Sequence, residues 1–215
     1  MFTGIVEDLG VVKSVEKKGT SGRITVESGF GPGALATGDS IAVDGVCLTV
    51  VEYRDGLFSA EISGETLGNS TLGGIEVGSR VNLERPLTPS KPLGGHIVTG
   101  HIDCTGTIRS RHSSDDGAEF EITVPRASLG LIVHKGSVAV DGVSLTVASL
   151  TGDGFRVAVI PHTLKTTTLS LRRVGSRVNI ETDIIARYVE RLISSYRRTG
   201  ITQDFLAEHG FLKKD

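Results

Sequence analysis

The sequence predicts an all-β protein: two similar six-stranded antiparallel closed β-barrels from a tandem duplication, followed by a C-terminal amphipathic α-helix. Three observations carry this. The composition is rich in Gly, Val, Ile and Thr, with 28 glycines and only six prolines in 215 residues, which suits short strands joined by tight turns. The chain repeats itself. Beyond Thr182 the alternating pattern of strands gives way to helical spacing.

Strand candidates of the first half run in order as GIVEDLGVVKSV, GRITVES, SIAVDG, VCLTVVEY, LFSAEIS and RVNLE, with turn signals at Asp44-Gly45 and Asp55-Gly56. The segment SIAVDGVCLTV from Ser40 returns as SVAVDGVSLTV from Ser137, and VGSRVNLE from Val77 returns as VGSRVNIE from Val174. Both recur at a shift of 97 residues with no gap between them, while TGIVEDLG from Thr3 matches TGHIDCTG from Thr99 at a shift of 96. Units of this length are too long for a solenoid repeat and large enough to own a core. The proline-rich ERPLTPSKPLGG is the expected connection, which divides the chain into 1–90, 91–183 and a helix with tail over 184–215. A closed barrel buries six short strands without leaving open edges. In DIIARYVERLISSYRR, residues Ile185, Tyr188, Val189, Leu192 and Tyr196 form one apolar stripe; after two self-sufficient barrels this stripe is expected to make an oligomer contact, the alternative being a helix that packs on its own barrel.

A net charge of −2 with no long Lys/Arg cluster argues against a nucleic-acid partner, which needs a concentrated basic surface. Two cysteines are too few for a disulfide framework. The acidic start of the chain and the lack of a long apolar run point to a cytoplasmic protein with no membrane association.

Alternation along a strand places Val46, Leu48 and Val50 on one face and Cys47 and Thr49 on the other. The first set should fill the barrel. Ser144 and Thr146 repeat the relation, so two equivalent polar walls are expected; the plainer explanation is that hydroxyls alternate outward on any half-exposed strand. His96, His101 and Cys104 in GGHIVTGHIDC do not complete a tetrahedral zinc set, and no metal is expected. GALATGDS from Gly33 carries Asp39 where a phosphate loop needs lysine. There is no Gly-x-Ser-x-Gly elbow or local cysteine-protease signature to support covalent catalysis.

The opening MFTGIVE, the stretch GGHIVTGHID from Gly94, the paired DGVCLTV and DGVSLTV, and IPHTL from Ile160 together resemble the riboflavin synthase (alpha chain) family, over residues 1 to about 195. The resemblance implies two barrels and a helix assembled as a homotrimer, each active site lying between the N-terminal barrel of one subunit and the C-terminal barrel of its neighbour. It implies 6,7-dimethyl-8-ribityllumazine as the substrate and no cofactor, and it leaves room for association with lumazine synthase. By the same resemblance, substrate contacts in the N-terminal barrel fall on Gly4, Ile5 and Val6, on Cys47, Leu48 and Thr49, and on Glu61, Ile62, Ser63, Gly64, Glu65 and Thr66. In the C-terminal barrel they fall on Gly100, His101 and Ile102, on Lys135, on Ser144, Leu145 and Thr146, and on Ala158, Val159, Ile160, Pro161, His162 and Thr163. Roles in the chemistry are implied for Cys47, His101, Asp141, Ser144, Thr146 and Asp183. Cys104 departs from a common glycine, and GETLGNSTL lacks the basic residue that often follows ETL.

The implied reaction is the dismutation of two lumazines, by transfer of a four-carbon unit, into riboflavin and 5-amino-6-ribitylaminouracil. One substrate loses a proton from an acidic ring methyl; the other is activated by addition of a nucleophile and gives up four carbons. Donor and acceptor roles need two unlike holders, and equivalent positions do differ: Cys47 opposes Ser144, Glu65 opposes His162, Ile5 opposes His101 and Gly38 opposes Lys135. That comparison makes the C-terminal barrel the richer in proton-transfer groups. His101 is the candidate acid or base, since imidazole is the side chain that changes charge nearest neutral pH; a satisfied structural histidine is the alternative. A non-catalytic lumazine- or flavin-binding protein of the same family would show decay of one binding motif, and both motifs survive here. A flavin reductase would need a nicotinamide-binding glycine-rich turn, which the sequence lacks.

Overall fold

The computed structural model describes residues 1–198, 206–207 and 209–211; much of the tail 199–215, and the side chain of Tyr196, lie outside the described residues. The first barrel closes in the order β1 (Asp8–Lys18), β2 (Ser21–Glu27), β5 (Leu57–Ile62), β4 (Val46–Arg54), β3 (Ser40–Val43) and β6 (Arg80–Glu84), with β6 pairing back to β1. The second repeats this with β7 (Cys104–Ser114), β8 (Gly117–Thr123), β11 (Gly154–Val159), β10 (Val143–Leu150), β9 (Ser137–Val140) and β12 (Arg177–Thr182). All pairings are antiparallel, and closure removes the edges that would otherwise template aggregation. β1 starts four residues later than the sequence pattern suggests, because the segment before Asp8 leaves its own barrel.

Each barrel has its own apolar core. Val12, Ile24, Val46, Leu48, Val50, Phe58 and Leu83 fill the first; Ile108, Phe120, Val143, Leu145, Val147, Phe155 and Ile180 fill the second. The alternation of β4 holds as read: Val46, Leu48 and Val50 are buried, Cys47 is half-buried and Thr49 is exposed. A register shift between Val50 and Glu52, matched between Val147 and Ser149, bends the same strand in both barrels.

Short helices that the sequence reading did not isolate follow β5 and β11: α1 (Gly64–Asn69) and α3 (Pro161–Thr166), separated along the chain by α2 (Arg126–Leu129). Ser63 caps α1 by accepting from the Thr66 N–H, and Pro161 opens α3. The last helix, α4 (Ile184–Arg198), starts where Asp183 accepts from the Ile185 N–H at 2.9 Å. Its residues Ile185, Tyr188, Val189 and Leu192 are exposed. No helix among the described residues is long and apolar enough to cross a membrane.

The barrels meet across a pseudo-twofold polar seam. Asn82 Nδ2 donates to the Asp141 carbonyl (2.8 Å) and Asn179 Nδ2 to the Asp44 carbonyl (2.9 Å). Asn82 and Asn179 also accept, through Oδ1, from the Thr168 and Thr71 N–H groups of the opposite barrels. One residue breaks the symmetry: Arg172 reaches both buried carboxylates, at 2.7 Å from Asp141 Oδ2 and 3.1 Å from Asp44 Oδ2.

Candidate active site

The two walls are completed by a reciprocal exchange of chain. Thr99-Gly100-His101 lies on β4 of the first barrel, where Cys47 N–H donates to the Gly100 carbonyl at 2.9 Å. Thr3-Gly4-Ile5 lies on β10 of the second, where Ser144 N–H donates to the Gly4 carbonyl at 2.8 Å. Phe2 and Val98 pair between these crossing segments. Glycine is required at both crossings: φ is +76° at Gly4 and +82° at Gly100, and a Cβ would stand 2.6 Å from Ser144 Cβ or 2.5 Å from Cys47 Cβ.

A buried carboxylate clamps each crossing. Glu84 accepts from Thr3 N–H (2.7 Å), Thr3 Oγ1 (2.7 Å) and Gly4 N–H (3.0 Å). Glu181 accepts from Thr99 N–H (2.7 Å), Thr99 Oγ1 (2.6 Å) and Gly100 N–H (2.9 Å). Burial raises the Glu181 pKa, opposed by the bonds from Thr99 and Gly100. Both glutamates end the repeated VGSRVN motif, but their partners lie 80 or more residues away, beyond what that motif signals.

This exchange corrects the assignment of contacts to barrels. Gly4, Ile5 and Val6 belong beside Ser144, and Gly100, His101 and Ile102 beside Cys47. A cavity of about 280 Å³ is lined by Cys47, Glu65, Thr66, Gly100, His101 and Ile102, together with Val46, Asn69 and Ser70. A larger, open concavity of about 890 Å³ includes Thr49, Glu61, Ile62 and Ser63, with Glu16 and Arg23 at its edge. His101 therefore shares a cavity with Cys47, and the C-terminal barrel is not the richer in proton-transfer groups on its account. Leu48, Leu145 and Val159 are buried in the barrel cores, so their side chains do not face the outer walls, and Ile62, also part of the first core, reaches the larger concavity only as a buried residue.

On the second wall Ser144 is half-buried and Thr146 exposed, with Ala158, Ile160, Pro161 and His162 exposed at the rim. Lys135 holds a left-handed backbone, φ +64°, where the first barrel has Gly38 at φ +95°. That conformation costs a non-glycine residue about 1 kcal/mol. Asp141 is not brought to the wall. It is fully buried, receiving Arg172 and the Asn179 N–H (2.7 Å), and supports the turn that leads into Val143 and Ser144. Asp183 stands at the start of α4. His96, raised in the sequence only as a metal candidate, lies with Nδ1 2.7 Å from Ser144 Oγ. Neither it, His101 nor Cys104 joins a metal-holding cluster among the described residues.

Two barrels with matched polar walls, each capped by the other's Thr-Gly segment, define a duplicated small-molecule holder. The lumazine binding domain family matches twice, over residues 3–86 and 99–183. The chain is 47% identical over 199 residues to riboflavin synthase of Mycobacterium tuberculosis, covering 91% of this chain and 99% of the relative. It is 38% identical to riboflavin synthase of Actinobacillus pleuropneumoniae and 37% to that of Bacillus subtilis, each over 215 residues with 98% of this chain and all of the relative covered. Among solved structures, LumP complexed with riboflavin superimposes with a TM-score of 0.78 at 26% identity, and LumP complexed with 6,7-dimethyl-8-(1'-D-ribityl) lumazine with 0.76 at 26%; each covers 85% of this chain and 99% of that one. The chain belongs to the riboflavin synthase family.

Proposed function

We infer that this chain is a transferase catalysing the riboflavin synthase reaction: two molecules of 6,7-dimethyl-8-ribityllumazine yield one riboflavin and one 5-amino-6-ribitylaminouracil. The observation that carries the reading is the survival of both walls, each with its crossing Thr-Gly segment, carboxylate clamp and pair of polar side chains. A protein that only bound lumazine would need one. The acceptor's methyl proton is lost to a base and the ring delocalises the charge, while the donor is opened after a nucleophile adds to it. Holding the two rings together converts an encounter into an intramolecular step, a gain that can reach about 7–11 kcal/mol for aligned groups. Contacts from the residues named on the two walls follow this reading, with His101 and Cys47 on one and Ser144, Thr146 and Lys135 on the other.

The reading extends to a cytoplasmic homotrimer in which the first wall of one subunit meets the second wall of its neighbour. Its support is the exposed α4 stripe beside a groove lined by Leu131, Val133, Val189 and Ile193. Association with lumazine synthase belongs to the same reading, and co-sedimentation of the two proteins tests it. The deciding experiment mixes the purified protein with the lumazine, without added metal or coenzyme, and follows riboflavin absorbance. One riboflavin per two lumazines consumed is expected; saturable binding with no product would leave a binding protein instead.

A further inference from the structure

Ser144 and Cys47 occupy equivalent points on the two walls, each with a histidine in its surroundings, yet among the described residues only the Ser144 side chain is hydrogen-bonded by one. His96 is 8% exposed and its Nδ1 lies 2.7 Å from Ser144 Oγ. Its backbone N–H donates to the Thr3 carbonyl at 3.1 Å, and Thr3 is held in turn by Glu84. The neighbouring Gly95 leaves no slack, since a Cβ there would meet the Thr3 carbonyl at 2.1 Å and Ser144 Cβ at 2.8 Å. No hydrogen bond to the Cys47 thiol is found among the described residues. The glycine crossings are otherwise alike, so the imidazole is an added part of the second wall.

A histidine kept only for packing would have both ring nitrogens satisfied. Here Nε2 is buried with no hydrogen-bond partner among the described residues, a desolvation cost that an apolar residue of similar size would avoid. Burial lowers the His96 pKa, partly opposed by the Asp183 charge at the start of α4, a shift that favours the neutral ring, which can either accept the Ser144 proton or donate to its oxygen.

We propose that His96 is a positioning residue for the reaction: it fixes the Ser144 hydroxyl in the orientation that meets a lumazine on the second wall, making that wall chemically unlike the Cys47 wall. The proposal rests on the riboflavin synthase reading. A hydroxyl free to rotate samples several staggered positions, whereas one tied to a buried, backbone-anchored imidazole presents a single donor–acceptor arrangement to the ring or to the nucleophile added to it. Misplacement of a catalytic contact by about 1 Å can cost about 100-fold in rate, and a loss of that order is expected when the tether goes.

The test compares the wild-type chain with His96→Leu, His96→Asn, Ser144→Ala and the double variant His96→Leu/Ser144→Ala, by single-turnover rate and by fluorescence titration with the lumazine. His96→Leu is expected to lose about 100-fold in rate while binding changes little. His96→Asn, whose amide reaches the place of Nδ1, should recover most of the rate. In the Ser144→Ala background the Leu change should cost nothing further, because the group it positions is gone; a purely structural role gives additive losses and no rescue by Asn. Full rate in His96→Leu, or additive losses, overturns the proposal and leaves the functional reading standing. Should His96→Leu fail to fold, a His96→Asn variant that folds and binds but turns over no faster than Ser144→Ala overturns it equally. A wild-type chain that binds lumazine without turnover overturns the functional reading, and this proposal with it.

Discussion

Among the described residues Arg172 is the one cation reaching both Asp44 and Asp141 in the seam, and replacing it with Gln tests how the barrels are joined. Asp141 is 0% and Asp44 4% exposed, and Arg172 contributes Nη2 to both together with an Nε bond to Asp141 at 2.8 Å. Burial pushes both carboxyls upward, Asp44 to about 7 with the added repulsion of Asp141, and Arg172 counters both. Removing one partner of a buried ion pair costs about 3–5 kcal/mol while the charges remain. The sign follows from proton binding. Carboxyls raised in the folded state hold protons that the unfolded chain has released, so stability falls as pH rises from near 4 through the raised folded values. Without Arg172 those values rise further, and the loss relative to wild type must grow across the neutral range by up to about 1.4 kcal/mol per pH unit for each proton involved. Urea denaturation at fixed protein concentration, near pH 5.5 and near pH 8.5, measures this. A difference between variant and wild type that is below about 1 kcal/mol, or equal at the two pH values, would refute the reasoning.

Gly100→Ala is expected to destabilise the Cys47 wall by about 2 kcal/mol or more and to weaken ligand binding there, while Gly4→Ala does the same at Ser144; unchanged fluorescence titrations and melting temperatures in both would count against the crossings. Glu181→Gln turns an amide NH2 toward one of three donors and should cost about 1–3 kcal/mol, with reduced turnover as Gly100 and His101 loosen; denaturation and steady-state rates check both effects.

The barrels were legible because their signals are local: strand alternation, Asp-Gly turns and a repeat in fixed register. The wall side chains Cys47, Thr49, Ser144 and Thr146 followed from the same alternation. What the sequence hid is long-range. A repeat shows that Gly4 and Gly100 are equivalent, but each could have capped its own barrel or the other's, and the choice depends on Glu84 and Glu181 pinning segments 80 or more residues away. The misplacement of His101 followed directly. The surroundings of Asp141 were hidden for a related reason: DGVSLTV looks alike whether its carboxylate faces a substrate or a guanidinium, and Arg172 has Ile75 as its repeat mate, so self-comparison offers no partner for it.

That asymmetry leads to the last prediction, on residues 1 to about 90 produced alone. The first barrel has a complete strand set and core, so it should fold, but Cys47 then lacks Gly100 above it and the Thr3-Gly4 segment lacks Ser144 beneath it. Two copies can satisfy each other, since Thr3-Gly4 is the repeat equivalent of Thr99-Gly100, Asn82 can donate to a second Asp44 carbonyl as it does to Asp141, and Gly45 already packs on its equivalent Gly142. An exchanged dimer is therefore expected. It would carry Ile75 in place of Arg172, and so bring two Asp44 carboxylates into the seam with no cation between them. Protonation of one relieves the repulsion, so the dimer should tighten as pH falls below neutrality, the reverse of what a dimer held by ordinary ion pairs would do. Sedimentation equilibrium near pH 6 and near pH 8 reads this directly. A unit that stays monomeric at both, or associates more tightly at the higher pH, would show that the crossing segments and the Asp44 seam do not join the barrels in the way the intact chain indicates.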